Sequence, residues 1–354
     1  MFTRSSLVLE KVYRQSTSIR RFCSTISEAE AQPDPRKIFF HVDVQLLLKT
    51  LTRVDYEKVF QPRKVGKPLK NSIMKFLTTE QLKEYERRTD SKAFIRLQMP
   101  PVVEAQEDTV KLIGEDPGLR GLTTAKHVFT DISFGISNKN RLIVVREPDG
   151  KLRHAFMNER SRMNQVYFPV YGKEIETPKM FFDPHLENLL EREEYVFILD
   201  RACIQFEPND PEYHRVTKRV YEDVNLKRNF ESLRSTRHFG PLAFHLAWEK
   251  KIDNLLVDVI HSQRIDEAVA LIKLYHIFHP QALSAQSAPC EDDITMIKSY
   301  AKLESSMRRD IDHALLKYEK LEREIQKFEA EKLKLQDSSV STEEDHPDEP
   351  KQDQ

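Results

Sequence analysis

Apolar positions change period twice along this chain of 354 residues. Val44, Leu47, Leu48 and Leu51 recur at helical steps and predict a first amphipathic helix. Pro62, Gly66 and Pro68 then break the chain. Thr78 followed by Gln81 has capping-box spacing. It opens a second helix carrying Leu82, Tyr85, Phe94 and Leu97, which Pro100 and Pro101 stop. Residues 127–136 alternate imperfectly, Leu142–Val145 is rich in β-branched residues, and Pro148, Asp149 and Gly150 spell a turn. Lys151–Phe156 reads as the returning strand, and Val166–Val170 suits one more.

Helical spacing returns from Leu186. Leu189, Leu190, Tyr195, Ile198, Ala202 and Phe206 form one apolar series; after Pro208 and Pro211, Tyr213, Val216, Val220 and Val224 form the next. Leu242–Lys250, Ile252–His261 and Asp266–Phe278 continue it. The rhythm resembles a helical solenoid, but no second copy occurs at a fixed period, which favours a non-repeating helical domain. From Ile297 a heptad fits, with Ile297, Ile311, Tyr318 and Ile325 at one core position. Tyr300, Met307, Ala314, Leu321, Phe328 and Leu335 take the other, and Glu304 and Lys332 interrupt it. A continuous helix of about 45 residues would span roughly 65–70 Å, more than a small domain can bury, so Ile311, Tyr318, Leu321, Ile325 and Phe328 are candidates for a partner helix. The expected class is mainly α with a small β region (α+β): a helical-pair domain, a central short hairpin or small sheet, and a long C-terminal helix.

Charge divides the chain further. Lys and Arg total 56 and Asp and Glu 57, a net of −1. Residues 1–27 hold Arg4, Lys11, Arg14, Arg20 and Arg21 against Glu10 alone, with abundant Ser and Thr and an apolar side made by Phe2, Val8, Leu9, Val12 and Tyr13. That is the pattern of a mitochondrial transit peptide. Residues 337–354 carry seven acids and one Lys, the composition of a disordered tail. The expected segments are thus a transit peptide (1–27), an N-terminal helical and basic extended segment (28–126), a small β-containing region (127–185), a helical domain (186–290), a coiled-coil-like helix (291–336) and the acidic tail. Only 8 glycines are present, which leaves little room for Gly-rich phosphate loops. Cys23, Cys203 and Cys290 show neither zinc nor disulfide spacing. No apolar run approaches a membrane span.

Candidate chemistry is correspondingly thin. No P-loop, dinucleotide fingerprint, nucleophile elbow or HExxH motif occurs. His276 and His279 stand three apart without an acid or Cys placed to complete a metal site, and Cys203 lies between Asp200 and Glu207 without a base. Neither a cofactor, a metal, a catalytic residue nor a small-molecule substrate is expected. Cations say more. Lys58, Arg63, Lys64, Lys67, Lys70 and Lys75 share a stretch with no acid, kept extended by its prolines, which suits a phosphate backbone. A second cluster holds Arg215, Lys218, Arg219, Lys227, Arg228, Arg234 and Arg237; Lys139, Arg141, Arg146, Lys151 and Arg153 line the hairpin. The candidate RNA contacts are the first cluster together with Arg215, Lys218, Arg219, Arg234 and Arg237.

A series of short stretches sharpens this. Val-Phe-Thr-Asp-Ile-Ser (128–133), Ile-Val-Val-Arg-Glu-Pro-Asp-Gly (143–150), Gln-Val-Tyr-Phe-Pro (165–169) and Gln-Phe-Glu-Pro-Asn-Asp-Pro-Glu-Tyr (205–213) come first. Leu-Arg-Ser-Thr-Arg-His-Phe-Gly (233–240), Lys-Lys-Ile-Asp-Asn-Leu-Leu-Val-Asp (250–258), Leu-Tyr-His-Ile-Phe-His-Pro (274–280) and Ser-Ala-Gln (284–286) follow. In this order, over roughly residues 40–305, they resemble the mitochondrion-specific ribosomal protein family of small-subunit protein twenty-two. The resemblance implies a non-catalytic component of the mitochondrial small ribosomal subunit, in the matrix, contacting ribosomal RNA and neighbouring small-subunit proteins. It supplies no individual RNA-contact residues, and the chain departs from the family pattern after about residue 305. The alternative is a helical adaptor in the matrix, outside the ribosome.

Overall fold

The computed structural model describes residues 34–61, 73–286 and 292–340. The +4 segment 1–27, the cations Arg63, Lys64, Lys67 and Lys70, and the acidic residues after Val340 lie outside the described residues. The chain forms two compact units, Met1–Leu246 and Ala247–Gln354. The architecture is α+β, as the pattern predicts: helices, one four-stranded antiparallel sheet and a long last helix.

In the first unit, α1 (Pro35–Phe39) and α2 (Val42–Thr52) bury Phe39, Val44, Leu48 and Leu51. Phe39 meets Phe244 edge to face at 5.6 Å. After α3 (Tyr56–Phe60), α4 (Thr79–Arg96) starts with the expected reciprocal cap. The Gln81 amide donates to Thr78 Oγ1 at 3.4 Å, and the Thr78 amide donates to the Gln81 side chain at 3.2 Å.

The sheet runs in the order β1-β4-β3-β2, from β1 (Leu112–Glu115), β2 (His127–Thr130), β3 (Ile143–Arg146) and β4 (Lys151–His154). Ile143 and Val145 are buried on one face with Ala155; Val128 and Met163 pack against them. Met163 belongs to α5 (Met157–Tyr167), which therefore covers that face alone. The strand expected at Val166–Val170 is absent: Val166 and Tyr167 end α5. Its backbone needs are met otherwise, because the Gln165 side chain accepts from the Val170 amide at 3.0 Å and donates to the Val170 and Lys173 carbonyls. Conversely, β1 gives no alternation to read, since all four of its residues are exposed.

Gly150 closes the β3–β4 hairpin. Its amide donates to the Glu147 carbonyl at 3.0 Å, a type I turn with Pro148 at the favoured second position, and its φ is +86°. A Cβ there would fall 2.2 Å from the Asp116 carbonyl oxygen, which sits against the turn because the Asp116 amide donates to the Gly150 carbonyl.

The rest of the unit is helical. The α6 (His185–Glu191), α7 (Tyr195–Gln205) and α8 (Pro211–Lys227) helices bury Leu186, Leu190, Ile198 and Ala202 together with the foreseen Val216, Val220 and Val224. Each large aliphatic buried this way contributes roughly 1.5–3 kcal/mol. Asp210 caps α8 and Pro211 opens it. A buried Asp223 on α8 accepts from the Tyr195 hydroxyl at 2.8 Å and pairs with Lys227 at 2.8 Å. The α9 helix (Phe239–Trp248) follows.

The second unit is built on α10 (Asp253–His261) and α11 (Ile265–Phe278). A single turn, α12 (Leu283–Gln286), precedes the C-terminal helices. The heptad run is not one helix. It divides into α13 (Asp293–Leu303), packed on α11, and α14 (Arg308–Val340), packed on α10. Two carboxylates make the break. Glu304 accepts from the Leu283 amide at 2.7 Å and the Tyr275 hydroxyl at 3.2 Å. Asp253 accepts from the Ser306 amide and hydroxyl and from the Tyr300 hydroxyl at 2.9–3.0 Å. The link between the two helices is thereby tied to α10, α11 and α12 by side chains. At 33 residues, α14 is about 50 Å long.

Replacing Gly150 by Ala is expected to destabilise the first unit by more than about 1 kcal/mol, through left-handed strain and the clash with Asp116. Thermal unfolding of the full chain measures it: the midpoint falls by at least about 2 °C, and an unchanged midpoint would contradict the turn assignment.

Candidate RNA and partner interfaces

Two cations of the first basic cluster fall among the described residues. Lys58 donates to the Glu231 carbonyl at 2.6 Å, and Lys75 lies 5.9 Å from the centre of the Tyr85 ring. Next to Lys75, Ile73, Met74 and Phe76 are strongly exposed.

The second cluster is largely committed to the fold. Arg219 on α8 makes a bidentate pair with Glu187 at 2.7–2.8 Å, which raises its pKa. Arg237 reaches Asp200 at 2.7 Å, an aspartate that also contacts His238. Arg215 donates to Glu212 and to the Phe181 carbonyl, both at 2.8 Å, but remains exposed, as does Lys218. Arg234 must be struck from the RNA-contact candidates. It is 1 % exposed, approaches the Leu51 carbonyl at 3.4 Å and stacks over Phe239 at 4.8 Å, so its charge is spent inside the first unit.

The hairpin cations divide in the same way. Arg141 is buried, donates to the Asp131, Ser133 and Ile136 carbonyls at 2.7–3.1 Å, and sits over Phe168 at 3.7 Å. Arg153 is buried between Glu147 and Glu159, at 2.7–3.1 Å, above the Phe156 ring. The pairing raises the arginine and lowers Glu159. Lys151 pairs with Asp149 at 2.9 Å, and Lys139 lies 3.9 Å from Glu207. Arg146, half-buried on β3, has no ion-pair partner among the described residues.

Of the partner-helix candidates, Ile311 is corrected to an intramolecular core residue: it is fully buried with Ala314 and Leu315 where α14 packs on α10. Tyr318 and Leu321 are half-buried, whereas Ile325 (46 % exposed) and Phe328 (75 %) face outward.

The remaining chemistry is structural. His276 shares a hydrogen bond with Ser284 at 2.9 Å and His279 one with the Ala247 carbonyl at 2.9 Å; burial lowers both pKa values. Tyr275 beside them is pushed up to about 12, first by burial and then by Glu304. Among the described residues no group of three His, Cys, Asp or Glu could hold a metal ion. Cys203 lines a cleft of about 350 Å³ with Met99, Pro101, Tyr213 and Arg237, but burial pushes its thiol upward, away from the nucleophilic thiolate. No described helix is long and apolar enough to cross a membrane.

Five of the candidate cations, Arg141, Arg153, Arg219, Arg234 and Arg237, are held within the fold itself. Residues 37–280 match the family described as mitochondrial 28S ribosomal protein S22. The chain belongs to that family. Among its relatives are the small ribosomal subunit protein mS22 of Mus musculus, 38% identical over 304 residues (85% of this chain and 84% of the relative), and that of Bos taurus, 38% identical over 305 residues (86% and 84%). The family match ends before α13 and α14.

The half-buried His276 and His279 give the second unit a pH dependence. A histidine whose folded pKa is depressed binds fewer protons folded than unfolded, so stability is complete above the unfolded value near 6.5 and is lost as pH falls toward the folded value. Denaturant unfolding at pH 7.5 and 5.5 should show this loss, and His276→Gln should reduce the difference; an equal difference in the variant counts against His276 as a contributor.

Proposed function

We propose that this chain is a structural, non-catalytic component of the mitochondrial small ribosomal subunit, in the matrix, bound to ribosomal RNA and to neighbouring small-subunit proteins. The observation that carries the reading is family membership across residues 37–280, with relatives named as small ribosomal subunit proteins. Residues 1–27 precede the matched span and supply the import signal in this reading; the body between them and the acidic tail carries 50 basic and 49 acidic residues. A near-neutral body touches RNA in patches and not over its whole surface. The patch assigned first to RNA is Lys58–Lys75, with Arg215 and Lys218 as exposed cations elsewhere. The outward stripe of α14 around Ile325 and Phe328 is assigned to a neighbouring protein, since an apolar helix stripe without cover is expensive in water.

In a sucrose gradient of mitochondrial lysate the chain should co-migrate with the small subunit and shift when RNA is digested; migration with light fractions alone would overturn the assignment. Replacing Lys64, Lys67 and Lys70 together by Gln should weaken retention on the subunit RNA, most strongly in low salt, because fewer counterions are released per binding event. Crosslinking to RNA at wild-type yield would remove that segment from the interface.

A further inference from the structure

One face of the sheet is left open. Register assigns His127, Phe129, Val144, Arg146, Leu152 and His154 to the side away from α5, since they alternate with Val128, Val145 and Arg153 on the covered side. Phe129 is 51 % exposed, directly opposite Val144 and diagonal to Arg146. Across the sheet Val144 is paired in turn with His154, whose amide donates to the Lys111 carbonyl at 3.0 Å. An aromatic ring, an aliphatic floor and polar imidazoles thus form one continuous surface.

Its charge is one-sided. No carboxylate stands on this face of the four strands. Arg146 on it and the exposed Lys111 at its edge have no ion-pair partner among the described residues. Their neighbours behave differently: Arg141 and Arg153 donate to carbonyls and carboxylates on the protein itself. In a chain that pairs most of its arginines internally, an unmatched arginine beside a half-exposed phenyl ring matches what unpaired RNA offers, a base face for the ring and a phosphate for the cation.

We propose that this open sheet face is a stacking platform for single-stranded ribosomal RNA, with Phe129 receiving a base and Arg146 the adjoining phosphate. The proposal rests on the ribosomal reading above and adds the place and mode of one contact. Phe129 discriminates little between bases, because every base has a π-face, whereas a duplex with its bases stacked inside is excluded. A side-chain stack on the sheet face needs no strand opening and no movement of β2.

Anisotropy of a labelled single-stranded RNA octamer titrated with the full chain tests it, with a blunt RNA duplex as the comparison. The octamer should bind more tightly than the duplex. Phe129→Ala should weaken octamer binding by roughly 5- to 150-fold. Phe129→Leu, which keeps apolar packing against Val144, should lose nearly as much without a change in thermal midpoint, and it carries the test if the alanine variant does not fold. Arg146→Gln should reduce the salt slope by about 0.7, one phosphate's share on a single strand. Wild-type octamer binding by Phe129→Leu, or no octamer binding by the full chain, overturns the platform. In assembled small subunits, ultraviolet crosslinks should join RNA to the peptides bearing Phe129 and Arg146. Chemical crosslinks from Lys111 to a neighbouring protein, with no RNA on those peptides, would make the face a protein contact. Co-sedimentation with the subunit would then still stand, so failure of the platform is distinct from failure of the ribosomal assignment.

Discussion

A single buried guanidinium decides how the β region is assembled. Arg153 on β4 is held by Glu147 from the hairpin turn and by Glu159 from the first turn of α5, with its plane over Phe156. Glu159 also accepts from the Phe156 amide at 3.0 Å, so the same carboxylate starts the helix. Strand, turn and covering helix are therefore locked by one cation. Removing both carboxylates would leave the buried guanidinium unpaired, at a cost of several kcal/mol. Because strand side chains alternate, fixing Arg153 toward α5 also fixes Leu152 and His154 away from it. The identity of the open face follows from the ion pair on the closed one.

The same use of charge runs through the first unit and recasts its composition. A third of the chain is charged, with almost no net charge. Much of that charge is internal bracing: Arg219 with Glu187, Arg237 with Asp200, Asp223 with Tyr195 and Lys227. Exposed pairs of this kind contribute little each, but the half-buried ones bring together segments that are far apart in sequence. For the cations that remain outward, position matters more than the total.

Local signals were legible and distant partners were not. The Thr78–Gln81 cap, the Pro148–Gly150 turn and the apolar series on α8 all work over a few residues, and each is where its spacing puts it. The exposed Leu112–Glu115 strand left no alternation, and Gln165 made a strand at Val166–Val170 unnecessary by bonding to the loop itself. Arg234 looks like any surface arginine until its approach to Leu51, 183 residues earlier, is seen. The heptad pattern ran through residues 304–307 because apolar spacing does not register a side-chain tie supplied from elsewhere. Asp253, the residue that supplies it, lies 53 positions before Ser306. For the interfaces, sequence found the cationic stretches, whereas sorting braced cations from available ones required the partners.

The break before α14 has a geometric corollary. Ile325 lies two heptads beyond Ile311, so it sits only about 40° around the helix from that buried residue. The outward stripe is thus an overhang of the same seam that α10 fills for the first few turns, slowly winding left-handed as it leaves. The nine residues of α10 set where self-packing stops. A helix laid on Ile325 and Phe328 would take up the row where α10 ends, abutting it end to end as the next brick in a course.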